Sequence, residues 1–147
     1  AKEIFLINPQ MEIHATIGPI FKKKNIKLIK LLKNNNNLYI YNLIKNLSKI
    51  SQKCDLAIVS SGLTKYEMAA SKINLAVFSE NSTHARYNSP FVRSNLSYNL
   101  SNFDNNKYIK YKLTYLLNNY YKIYYNDYKY NKNLLKNNKF NLILQNV

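Results

Sequence analysis

The sequence predicts an α/β fold: a parallel sheet with helices on both faces. Three observations carry that expectation. An apolar run at Leu56, Ala57, Ile58 and Val59 stops at a small-residue turn, Ser60-Ser61-Gly62, and a helix starts at Thr64. A second apolar run, Leu75, Ala76, Val77 and Phe78, follows after a short gap. Strand, turn, helix, strand is a βαβ unit, and such a crossover makes its two strands parallel. Finally, both runs are apolar at consecutive positions, as strands covered by helices on both faces must be. Leu56–Val59 is expected at the centre of the sheet, with residues 75–78 beside it.

The other elements follow in chain order. Residues 2–7 read as a helix. Met11 to Ile17 (MEIHATI) is β-prone and ends at the breaker Gly18-Pro19. Lys22 to Lys33 has helical period, with Ile26, Ile29 and Leu32 on one face and Lys30 and Lys33 on the other. The asparagines at 34–37 form a polar loop. Leu38 to Tyr41 is a short strand, and Leu47 to Lys53 a helix with Leu47 and Ile50 as its stripe. After the βαβ unit, Ser79 to Pro90 reads as a polar loop and Leu96 to Leu100 as one further strand. From Asn105 onward Tyr108, Ile109, Tyr111, Leu113, Tyr115 and Leu116 recur at helical spacing, and Lys139 to Gln145 is a last helix. Strands alternating with helices in this way describe a Rossmann-like doubly wound sheet. Such a domain ordinarily has a strand and phosphate-facing loop before its first helix, so the leading strand is expected to be missing here.

Length and composition narrow the class. The chain has 147 residues, 46% hydrophobic and 20% charged, which fits one globular domain spanning residues 1–147. The start, AKEIFLINPQ, lacks the layout of a secretory signal. No apolar run approaches the roughly 20 residues needed to cross a bilayer. A single cysteine, Cys54, excludes an internal disulfide and fits a reducing compartment, so a cytoplasmic domain is expected.

The formal charge of +15 and the fourteen tyrosines raise a nucleic-acid reading, because aromatics among lysines can stack bases. Against it, Lys, Asn, Ile, Tyr and Phe are the residues of A+T-rich codons, and the lysines are spread along the chain rather than gathered in one motif. A nucleic-acid partner is therefore not favoured. Weak attraction to acidic membrane surfaces is the other consequence such a charge can have.

The segment Thr64-Lys65-Tyr66-Glu67 admits two readings. In one, Thr64 caps the helix and Glu67 reaches back to the cap's N–H, a capping box with no ligand. In the other, Glu67 turns to a ligand diol, which a carboxylate grips with two accepted hydrogen bonds. The helix N-terminus would then receive a diphosphate.

The residues Asp55-Leu56-Ala57-Ile58, Ser60, Gly62, Thr64, Tyr66, Glu67 and Asn81 resemble the donor-site signature of GT-B nucleotide-sugar enzymes. The resemblance is nearest to the subgroup of UDP-sugar hydrolases of pseudaminic and legionaminic acid synthesis and related spore-coat polysaccharide proteins. It is more distant to the C-terminal domain of glycosyltransferase family 28. Ile17-Gly18-Pro19 and Asn46-Leu47 extend it upstream. Ser61 departs from the first Gly of the usual pair, and Ser82 from a common Gln.

The resemblance implies a UDP-sugar partner, with Ser60, Ser61, Gly62, Leu63 and Thr64 at the diphosphate and Glu67 at the ribose. It places Ile44 on the uracil side and Asn81, with His84, on the sugar side. It implies cleavage or transfer of the glycosyl group in surface-glycan (nonulosonate-type) synthesis, with a UDP-sugar hydrolase as the leading expectation. A family 28 hexosyltransferase and a basic nucleic-acid-binding module are the alternatives. In such enzymes the catalytic base lies in an N-terminal domain, expected to be absent from this chain, so no catalytic residue is assigned and the chain alone should bind UDP weakly without turnover. No cofactor is implied.

Outside this motif, His84 and Arg86 sit in the polar stretch, where a solvent-facing imidazole is the plainer reading. His14 is expected to be a strand residue with no chemistry. No Cys/His spacing suits a metal, and two histidines give no Ser/His/Asp constellation.

Overall fold

The computed structural model describes residues 2–17, 36–42, 44, 46–102 and 105–127. The expected Gly18-Pro19 breaker, the helix over 22–33 and the last helix over 139–145 lie outside the described residues. The chain divides into two compact units, Ala1–Ile50 and Ser51–Val147.

The first unit holds helix α1 (Lys2–Ile7), strand β1 (Ile13–Ile17) and strand β2 (Leu38–Asn42). β1 and β2 pair in parallel, with Ile13 opposite Leu38, His14 opposite Tyr39 and Thr16 opposite Tyr41. A short helix α2 (Ser48–Ser51) stands at the boundary between the units and covers less than the expected 47–53.

The second unit contains β3 (Leu56–Val59), α3 (Thr64–Ala70), β4 (Asn74–Ser79), α4 (Ser82–Arg93), β5 (Tyr98–Asn102) and α5 (Asn106–Asn118). A π-helical turn over Lys122–Asp127 follows. The fold is α/β and Rossmann-like, with β3, β4 and β5 all parallel in the order β3-β4-β5. The expected parallel pairing of the two apolar runs is present, with Leu56 opposite Asn74 and Val59 opposite Val77.

Three expectations need correction. The described strands form two sheets, one in each unit, where a single one was expected. Among the described residues the central strand of the larger sheet is β4, not β3. Leu75, Ala76 and Val77 are wholly buried, whereas every residue of β3 keeps partial exposure. An unbroken apolar run marks burial, but it does not separate a strand with two neighbours from one with a single neighbour. The third correction is α4, which occupies most of the expected polar loop. Most of its polar residues face out while Asn88 and Phe91 are buried, and Pro90 is accommodated inside it. The helix closes past the proline through Ser94 N–H donating to the Pro90 carbonyl at 3.0 Å.

The two ends of the β3-β4-β5 sheet differ. At the N-terminal end, tyrosines beyond α5 close over the strands. The Tyr120 hydroxyl donates to the Asp55 carbonyl at 2.8 Å and accepts from Asn74 Nδ2 at 2.6 Å, and the Tyr124 hydroxyl donates to the Leu75 carbonyl at 2.8 Å. Buried Leu113, Leu116, Ile123 and Tyr124 supply the apolar packing, while Tyr108, Tyr111 and Tyr115 point to solvent. The C-terminal end carries the turns after β3 and β4. No helix among the described residues is long and apolar enough to cross a membrane.

Candidate functional site

In open parallel sheets the crevice beyond the carboxyl ends of the strands is where ligands bind. Here that end begins with Ser60, Ser61, Gly62 and Leu63, which lead from β3 into α3. Ser60 and Ser61 are partly exposed, Gly62 is exposed, and Leu63 is 71% exposed. An apolar side chain this exposed contributes little to folding. Gly62 does not have positive φ, and a Cβ built on it would meet nothing within 4 Å. The fold therefore does not need glycine for a left-handed conformation there; the room above the backbone is open.

The capping-box reading is overturned. The cap position belongs to Leu63, which is already helical at φ −63° and ψ −26°, and no side chain caps the helix. Thr64 is the first residue inside the helix and cannot take the capping role. Tyr66 N–H donates to the Leu63 carbonyl at 2.9 Å, closing the first turn. The earliest N–H groups of a helix have no acceptor within it. Glu67 is exposed on this first turn.

The turn after β4 is built differently. Asn81 is extended, at φ −160° and ψ 177°, and its side-chain oxygen accepts from His84 N–H at 2.9 Å. Asn81 is thus the cap of α4. His84, expected to face solvent, is only partly exposed. Its Nδ1 is buried, 3.8 Å from the Glu80 carboxylate, and no hydrogen bond among the described residues reaches it. Arg86 is exposed on α4.

A further residue stands out only once α3 and α4 are packed together. Lys65 is 1% exposed, and its ammonium donates to the Tyr87 carbonyl at 2.8 Å and to Asn88 Oδ1 at 3.1 Å. It also lies 5.3 Å from the Tyr66 ring centre and 5.2 Å from that of Phe91, within cation–π range. Asn88 in turn donates through Nδ2 to the Phe78 carbonyl and to Ser79 Oγ. One chain of hydrogen bonds thus joins the start of α3, the middle of α4 and the carboxyl end of β4. Burial pushes the Lys65 ammonium below its ordinary value of 10.5 by removing water from the charge.

The structure thus brings Ser60, Ser61, Gly62, Leu63, Thr64 and Glu67 together on one turn and the helix it opens. Asn81 and His84 sit on the next turn of the same unit. Ile44, partly buried, belongs to the other unit. Among the described residues no group of three His, Cys, Asp or Glu could hold a metal ion. No protein-family model, curated protein or solved structure matches the chain.

Proposed function

We propose that the chain binds a UDP-sugar at the turn after β3, for cleavage or transfer of its glycosyl group in surface-glycan (nonulosonate-type) synthesis in the cytoplasm. Hydrolysis is the leading reaction and hexosyl transfer the alternative. The observation that carries the reading is the bare N-terminus of α3. Asparagine caps both α4 and α5, yet α3 opens from an exposed turn with no side chain on its first N–H groups. Uncapped N–H groups at the carboxyl end of a parallel strand are donors suited to phosphate oxygens. The resemblance of the Ser60–Glu67 segment to GT-B donor sites supports the same ligand.

In this reading Ser60 to Thr64 receive the diphosphate and the exposed Glu67 carboxylate accepts from the ribose hydroxyls. Asn81 spends its oxygen on the α4 cap and offers Nδ2 toward the sugar. Breaking the anomeric bond leaves negative charge on the diphosphate, and fixed N–H donors at that point lower the barrier to its departure. The base that would activate water or an acceptor is not assigned to this chain.

Isothermal titration with UDP tests the reading on three proteins. The parent should bind weakly. Gly62→Val, whose side chain enters open space and strains no left-handed backbone, should lose at least tenfold in affinity while remaining folded. Leu63→Asp should lose as much, because its carboxylate takes the place of the phosphate charge. The same substitution should leave stability unchanged or raise it by about 0.3–1 kcal/mol through the helix dipole. A folded Gly62→Val protein with parental UDP affinity overturns the site. A parent that ignores UDP but binds oligonucleotides, with affinity falling steeply in salt, overturns the function.

A further inference from the structure

The smaller sheet carries a second set of chemical groups. Along β1 the side chains alternate, Ile13, Ala15 and Ile17 on one face, with His14 and Thr16 on the other. The parallel register places Tyr39 and Tyr41 on the face of His14. The imidazole is 6% exposed, and its plane lies within 13° of the Tyr39 ring and within 11° of the Tyr41 ring. His14 Nε2 is 2.6 Å from the Glu12 carboxylate, and Nδ1 is 2.8 Å from the Tyr41 hydroxyl.

The chemistry of the two partners gives each hydrogen bond a direction when the ring is neutral. An ionised carboxylate only accepts, so Nε2 carries the hydrogen and gives it to Glu12. Nδ1 is then a lone pair, and the Tyr41 O–H must donate into it. A hydroxyl bonded to an imidazole whose far nitrogen is held by a carboxylate is the arrangement of an activated oxygen nucleophile.

The geometry points to Tyr41 as an activated nucleophile that takes an acyl group from an activated ester, with His14 as its general base and Glu12 as the residue that positions His14. Tyr41 Oη attacks the acyl carbon and a new C–O bond forms. The ester's C–O bond breaks, and the leaving alkoxide or phenolate carries away its electron pair. The phenolic proton passes to His14 Nδ1, the imidazolium is held against Glu12, and the proton is later lost to water. The product is O-acyl-Tyr41. This site is independent of the turn after β3.

Tyr39 supplies an internal control. It is 45% exposed on the same face, whereas Tyr41 is only partly exposed, and no hydrogen-bond partner among the described residues reaches the Tyr39 hydroxyl. Simple accessibility therefore ranks Tyr39 above Tyr41, as it does Tyr111 and Tyr121. The proposal reverses that order. The full chain is treated with p-nitrophenyl acetate at neutral pH, and acetylated tyrosines are mapped by mass spectrometry, with hydroxylamine reversal separating O-acetyl-tyrosine from acetyl-lysine. Tyr41 should react at least tenfold faster than Tyr39.

His14→Phe keeps a flat ring against both tyrosines and should bring Tyr41 down to the Tyr39 rate, with Tyr39 unchanged. Glu12→Gln keeps an acceptor for Nε2 but removes the charge, and should slow Tyr41 several-fold without touching Tyr39. Nitrogen NMR of the parent imidazole should show hydrogen on Nε2 and none on Nδ1. Tyrosine rates that follow exposure, with Tyr39 ahead of Tyr41 in the parent, overturn the proposal. So does a neutral ring with its hydrogen on Nδ1, and neither of these results requires a variant to fold.

Discussion

Helices α3 and α4 begin in equivalent places, each just past the carboxyl end of a parallel strand, and their first turns are finished in opposite ways. Asn81 is extended and folds its side chain back onto His84 N–H, so α4 opens with its orphan donor satisfied. Leu63 is helical, has no side-chain acceptor to offer, and leaves α3 uncapped. Both helices come from the same βα topology, so topology does not decide which N-terminus is available to a ligand. One residue's backbone angles and side-chain chemistry decide it. The comparison also separates a structural asparagine from a binding one, since the Asn81 oxygen is already committed within the protein.

The largest effect should come from the residue that ties the two helices together. Lys65→Ala removes a buried stem and leaves Asn88 Oδ1 and the Tyr87 carbonyl without their donor, and should cost about 3 kcal/mol or more in chemical denaturation. Lys65→Met retains most of the stem and should cost about 1–3 kcal/mol, the share of the lost hydrogen bonds. The pH dependence has a definite sign. Burial lowers the folded-state value below 10.5, so between that value and 10.5 the unfolded chain holds the proton more tightly. Stability then rises with pH across this window, as the penalty for the buried charge is relieved. The stability difference between the parent and Lys65→Met should move in the parent's favour as pH climbs toward 10.5. A flat or falling difference would show that the ammonium is not desolvated as its burial implies.

A smaller effect, near 1 kcal/mol, is expected for Asn81→Ala, which strips the cap from α4 and makes its N-terminus resemble that of α3. UDP lacks the glycosyl group that Asn81 would face, so its affinity should not change. Loss of UDP binding in this variant would place the diphosphate on the second turn and reverse the contrast between the two helices.

How far these features could be read from sequence depends on what fixes each. The βαβ unit was legible because two unbroken apolar runs flank a small-residue turn and a helix, and a helical connection of that length is what a parallel pairing needs. The centre of the sheet was not, because β3 and β4 are equally apolar and strand order depends on which neighbour adds on the far side. Helix α4 was hidden by Pro90 and by a polar surface. Its signal was Asn81 standing three residues before His84, with buried Asn88 and Phe91 three apart. Lys65 was invisible among 22 basic residues, since only the approach of α4 turns a solvent-seeking side chain into a buried one. His14 stood alone in its strand. Its tyrosine partners arrive from β2, 25 or more residues away, by a register that periodicity does not specify.

The smallest predicted effect is the sharpest test of the α3 turn. Were Thr64 the cap of a capping box, Thr64→Ala would cost about 1 kcal/mol, as other cap deletions do. The cap position instead belongs to Leu63, and Thr64 is the first residue within the helix. Alanine is the better helix former by a few tenths of a kcal/mol, so the substitution should leave stability within about 0.5 kcal/mol of the parent. Denaturation of Thr64→Ala and Asn81→Ala in parallel reads the contrast directly. Two equal losses would mean that both helices are capped by their own side chains, and the donors assigned to a diphosphate would already be in use. A loss confined to Asn81→Ala leaves the α3 donors free of any protein acceptor, which is the condition that phosphate binding at this turn requires.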